Sequence, residues 1–108
     1  MDANIVRVAG RILKSELRYT NATQTAVCNF TIETVRQRII KGETRFHRVT
    51  VPFVAWDTHA RVIHQRFPVG AYIEVEGRLD ESQSIAQSRA PRRRLQIVVE
   101  KFRVANAA

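Results

Sequence analysis

Cysteine is almost missing from this 108-residue chain: Cys28 stands alone, so no intramolecular disulfide can staple the fold and a reducing, cytoplasmic setting is expected. Within AVCNFTI it reads as a small buried filler rather than a reactive thiol. No run of roughly 18 apolar residues occurs and no long basic amphipathic helix, which argues against a membrane partner. The opening MDANIVRV lacks the charged-then-apolar plan of a secretory signal. Acid is scarce as well: 10 Asp and Glu face 18 Lys and Arg, for a net charge of +8. Lysine is rarer still, limited to Lys14, Lys41 and Lys101. A field of that sign gathers polyanions, and arginine can both stack on a base and fork onto a phosphate, so nucleic acid is the expected partner class.

Catalytic signatures are missing too. There is no glycine-rich phosphate loop, no nucleophile elbow and no carboxylate pair at useful spacing, so an enzyme is not expected. Of the three histidines, His59 and His64 are five apart, about 140° around a helix axis, and share no ligand face. No metal and no other cofactor is expected. The length suits one domain that buries roughly 65% of its unfolded surface, taken as residues 1–104 with 105–108 as a frayed end.

What the chain does have is alternation. In TRFHRVTVPFVAWD, residues 44–57, a strand would put Phe46, Arg48 and Thr50 on one face and His47, Val49 and Val51 on the other. A ring beside a guanidinium suits unpaired bases, since the ring stacks on any base and the cation attracts phosphate. NIVRVAGRIL, residues 4–13, reads as a long first strand bent at Gly10. Residues 26–34 form a second, with Cys28, Phe30 and Ile32 on one side. RQRIIKGET, residues 36–44, predicts a basic hairpin arm turning at Lys41-Gly42, followed by a third strand over 45–54 in which Pro52 needs an edge or bulge.

Asp57 is the expected N-cap of a short helix whose apolar face carries Ala60, Ile63, His64 and Phe67, stopped by Pro68 and Gly70. Strands follow over 71–80, with Ile73, Val75 and Leu79 alternating against Tyr72, Glu74, Glu76 and Arg78, and over 95–104. The polar ESQSIAQSRAPRRR between them is expected to be a mobile loop reaching toward phosphate. Three strands, a helix and two strands is the order of an all-β, five-stranded OB-fold barrel with one short helix between strands 3 and 4. That fold grips oligonucleotides with strands 2 and 3 and with its 1-2 and 4-5 loops. Arg18 and Tyr19 lead into the first loop, Arg36, Arg38 and Lys41 sit in the 2-3 arm, and Arg89, Arg92, Arg93 and Arg94 sit in the second loop.

The pieces NIVRVAGRI, ELRYT, AVCNFTIET, FHRV at 46–49, VAWDTHA at 54–60 and VGAYIEVEGRL at 69–79 together resemble the bacterial single-stranded DNA-binding protein family over nearly the whole chain. The resemblance implies a homo-oligomer, a tetramer in preference to a dimer, that coats unpaired DNA in replication, recombination and repair alongside partner proteins. It implies base stacking at Phe46 and Trp56, a subunit contact at His47, a role for Tyr19 in the R-Y-T turn, and groove-facing cations at Arg7, Arg11 and Arg48. Arg38 stands where many members have a stacking tryptophan, the 4-5 loop has no aromatic, and about three extra residues around Thr50–Phe53 leave the facing of Phe53 and Trp56 open. Members continue into a tail ending in an acidic peptide, whereas this sequence stops at Ala108. The tail is either absent, as in the related primosomal replication protein N, or removed. A primosome-type adaptor acting through protein contacts is the alternative function.

Overall fold

The computed structural model describes residues 1–85 and 91–106, with backbone only for 83–85 and 91–93. In chain order the elements are β1 (Val6–Tyr19), β2 (Ala26–Ile40), β3 (Glu43–Trp56), α1 (Asp57–Arg66), β4 (Tyr72–Ile85) and β5 (Pro91–Val104). The strands close a barrel in the order β1-β2-β3-β5-β4, so the expected five-stranded architecture and the place of the helix both hold.

β1 is long because two strands share it. Its first half, Val6 to Arg11, pairs with β4, and its second half, from Arg11 to Tyr19, pairs with β2. The handover comes at Gly10, where a Cβ would collide with the Glu33 carbonyl oxygen, so only glycine lets β1 and β2 approach this closely. A bulge between Ile12 and Lys14 follows and reverses which residues of β1 point outward.

Inside the barrel lie Ile12, Cys28, Phe30, Ile32, Phe53, Ala55, Ile73 and Val75, all at most 3% exposed. Phe30 and Phe53 stack with ring centroids 5.5 Å apart. This settles Phe53 as core. The helix closes one end of the barrel with Ala60 and Ile63, and Phe67 just beyond it meets Phe102 edge-on at 5.9 Å. Asp57 does not act as the cap: Trp56 holds the N-cap position with no side-chain bond, and Asp57, at φ +57°, makes the bend from strand into helix. Aspartate tolerates that region better than most side chains. His64 lies at the exposed edge of the expected apolar face, its Nδ1 3.2 Å from Ser15 Oγ.

Two hairpins run past the barrel. β2 and β3 stay in one uninterrupted register from Val27↔Trp56 to Ile40↔Glu43, and Lys41 and Gly42, with φ of +51° and +78°, form the two-residue turn that suits the strand twist. Every residue from Val35 to Thr50 is exposed. The second hairpin corrects a sequence expectation: much of ESQSIAQSRAPRRR is strand, with Ser82↔Arg94 and Ser84↔Arg92 paired, while Arg89 lies outside the described residues. Leu79 keeps the side of Ile73 and Val75, as the alternation expects, but is 45% exposed because β4 has run past the core there.

Candidate nucleic-acid interface

Paired residues on antiparallel strands put their side chains on the same face, so the register defines what the outer wall of β1, β2 and β3 displays. One row across the three strands is Arg18, Val27 and Trp56. The next rows are Glu16, Asn29 and Val54; Lys14, Thr31 and Pro52; and Arg11, Glu33 and Thr50. Two members are covered: Val27 and Val54 are buried with Val98 of β5, at 0%, 5% and 6% exposure. On the protruding arm the same face continues as Val35 with Arg48, then Gln37 with Phe46. Because β3 has no bulge against β2, Phe46 and Trp56 fall on one face, 64% and 39% exposed. Ten residues of strand separate them, about 33 Å at 3.3 Å per residue. The two rings are thus separate stations on one side of β3, with the buried Val54 between them and Arg18, Lys14, Arg11 and Arg48 alongside. Among the described residues β5 pairs with β3 only at Val54↔Val98, so Pro52 sits on a stretch of β3 that pairs with β2 alone, an edge that tolerates its missing N–H as expected.

Other expected residues lie elsewhere. Arg36 and Arg38 pair with His47 and Arg45 and therefore occupy the opposite face of the arm. Tyr19 pairs with Ala26 and faces away from Arg18. Lys41 is in the turn at the tip of the arm. Arg94 is exposed and, with Asn29 and Pro52, lines a groove of about 290 Å³ at the open edge of β3. The backbones of Arg92 and Arg93 pair with Ser84 and Gln83, and their side chains are outside the described residues.

Arg7 departs most from expectation. It lies on the wall of β1, β4 and β5, where its Nη2 is 2.7 Å from Glu76 Oε1. That hydrogen bond raises the guanidinium pKa above its ordinary value and holds the Glu76 carboxyl below its own. Lys101 approaches the same carboxylate at 3.8 Å, and Arg103 meets Glu74 at 2.7 Å. Arg11 and Arg48 are also partnered, but loosely: one oxygen of Glu33 lies 3.4 and 3.3 Å from them.

Two outward residues escaped the sequence reading as site residues. Lys14 joins the face only because the bulge after Ile12 shifts the parity of β1, which no local pattern announces. Tyr72 is 38% exposed and pairs with Arg11, extending the row Arg11, Glu33, Thr50 by a third ring. Its outward facing was readable from alternation; that β4 neighbours β1 was not. Tyr72, Gly10, Arg11, Glu33 and Arg48 line a depression of about 500 Å³.

Cys28 is fully buried, and burial pushes its thiol pKa up despite a contact of 3.4 Å to Ser15 Oγ. His59 meets Phe102 edge-on at 5.4 Å. Among the described residues no cluster of three or more His, Cys, Asp or Glu is placed to hold a metal, and no helix is long and apolar enough to cross a membrane.

A search of curated protein sequences found no match. Among solved structures the chain is similar to a Plasmodium falciparum SSB in complex with ssDNA, at a TM-score of 0.76 over 98% of this chain and 97% of that one. At 14% identity that likeness speaks for the fold alone. The model of the single-strand binding protein family matches residues 3–105, and with this barrel and this face the chain belongs to that family.

Proposed function

We propose that the protein binds single-stranded DNA without sequence preference, as a binding module rather than an enzyme. The observation that carries this reading is the single face of β3 on which Phe46 and Trp56 stand exposed in one register with Arg18, Lys14, Arg11 and Arg48 around them. Stacking on a ring tolerates any base because every base has a flat face, and the flanking cations track the backbone whatever the sequence. The wide spacing of the rings favours a strand laid along β3. Coating of unpaired DNA in replication, recombination and repair, in the cytoplasm at the nucleoid, is the role we assign.

Assembly belongs to the same proposal. His47, on the arm face opposite Phe46, is exposed in the protomer together with Val49, which is 42% exposed. We assign this second face to a contact between copies, in a tetramer rather than a dimer; mass measurement in solution decides between them, and a monomer would remove the assignment.

Titration with oligo-dT tests the binding reading. Trp56 fluorescence should be quenched to a sharp stoichiometric end point, far more than by duplex, and log K should fall with log salt by about 0.7 per phosphate contact. Equal affinity for duplex would overturn single-strand binding, and no binding of either would favour the adaptor role.

A further inference from the structure

We propose that Glu33 is a resident counter-anion that limits how tightly the middle of the interface grips a phosphate backbone, a role that rests on the single-strand reading above. Its Oε1 atom lies 3.4 Å from Arg11 Nη2 and 3.3 Å from Arg48 Nη1, so one carboxylate oxygen serves guanidiniums from two neighbouring strands. Exposure separates the three: the Glu33 side chain is 17% exposed, against 46% for Arg11 and 62% for Arg48. The carboxylate is the rooted member, and the guanidiniums reach outward from it. Its root is firm because β1 and β2 touch here through Gly10, which leaves no room even for a Cβ against the Glu33 carbonyl oxygen.

Each arginine gives the carboxylate one nitrogen and keeps its other N–H donors for an incoming phosphate. A phosphate drawn to the pair therefore meets two cations and one fixed anion. Repulsion from the carboxylate cancels part of the attraction, and more strongly here than in open water because the site is partly screened from solvent. Between the ring stations at Phe46 and Trp56 a strand is held loosely, which lets a bound strand peel from its middle.

Glu76 supplies a matched control. It too bridges two cations, Arg7 at 2.7 Å and Lys101 at 3.8 Å, and its side chain is 25% exposed, yet it lies on the wall away from both rings. Glu33→Gln and Glu76→Gln remove the same charge and release the same number of cations. If Glu33 acts as proposed, Glu33→Gln binds oligo-dT roughly fivefold tighter at about 0.15 M salt, where the screening length is about 8 Å, as expected for freeing two exposed pairs, and its salt slope steepens by about 0.7, one added phosphate contact. Glu76→Gln stays within about twofold of wild type, since exposed charges beyond a screening length contribute little. The gain from Glu33→Gln also disappears in an Arg11→Gln/Arg48→Gln background.

Equal or weaker binding by Glu33→Gln overturns the proposal, as does an equal gain in both single variants, which would reduce the effect to net charge. A gain that survives loss of both arginines overturns it too. If Glu33→Gln melts below wild type, Glu33→Thr, suited to a strand, is judged by the same outcomes. Failure of the wild type itself to bind oligo-dT is a different result, which removes the single-strand reading as well.

Discussion

On the wall made by β1, β4 and β5, Arg7, Lys101 and Arg103 each face a carboxylate, at 2.7, 3.8 and 2.7 Å, whereas on the β2–β3 arm Arg45 and Arg48 do so, at 3.1 and 3.3 Å, but Arg36, Arg38 and Lys41 face none among the described residues. Both regions are rich in cations and both are exposed, so residue counts do not distinguish them. The difference lies in what folding places opposite each cation. Glu74 and Glu76 come from β4, far along the chain from Arg7, and their charge cancels the wall locally. The arm extends past the barrel, where only its own two strands are neighbours, and its acids are few. The +8 excess is therefore presented unevenly, with the arm and the Trp56 face as the electropositive side.

The largest effect expected on this contrast is the loss of a ring from the arm. Phe46→Ala should weaken oligo-dT binding by roughly 1–3 kcal/mol, the worth of one stacking platform, with the melting temperature unchanged because the ring is 64% exposed. A variant that fails to fold would instead make Phe46 a structural residue and erase the distinction between arm and core.

Charge removal sharpens the comparison next. Lys14→Gln, Arg18→Gln and Arg48→Gln together, on the face that carries both rings, should flatten the salt slope by about two units if all three reach phosphate. The triple change Arg7→Gln, Lys101→Gln and Arg103→Gln should leave it nearly unaltered. Equal flattening by the two triples would mean that the ion pairs of the wall open to accept phosphate.

The smallest effect is on stability. Because the carboxyl of Glu76 titrates below its ordinary value in the folded protein, its ion pair stabilises the fold above the unfolded carboxylate pKa and is lost as pH falls through the depressed one. Melting temperatures measured through that acid range should fall less steeply for Glu76→Gln than for wild type. The same decline in both would show that Glu76 contributes nothing to the linkage.

Element order, the helix, and the division of β3 into two faces were legible because barrel strands have one wet and one dry side, which alternation records. The outer hairpin segments were harder to read: in Arg36–Ile40 neither face enters the core, so polarity no longer reports the strand period, and the uniformly polar run before Ile85 looked like loop. The cationic face was legible at Arg48 and Phe46, which lie on a regular strand. It was not at Lys14, hidden behind a bulge, nor at Arg7, whose partner Glu76 lies 69 positions away in the chain. Arg36 and Arg38 were sound as arm residues, but pairing parity sends them to the side that carries His47.

Among the described residues β3 and β5 meet through a single parallel pair, Val54↔Val98. Packing reinforces that pair, because Val54 and Val98 lie with Val27 in a small buried cluster, at 5%, 6% and 0% exposure. A polymer without a free end, such as an unpaired gap within a chromosome, needs no parting of this seam, because the proposed face of β3 lies on the outside of the barrel and is open to it from the side.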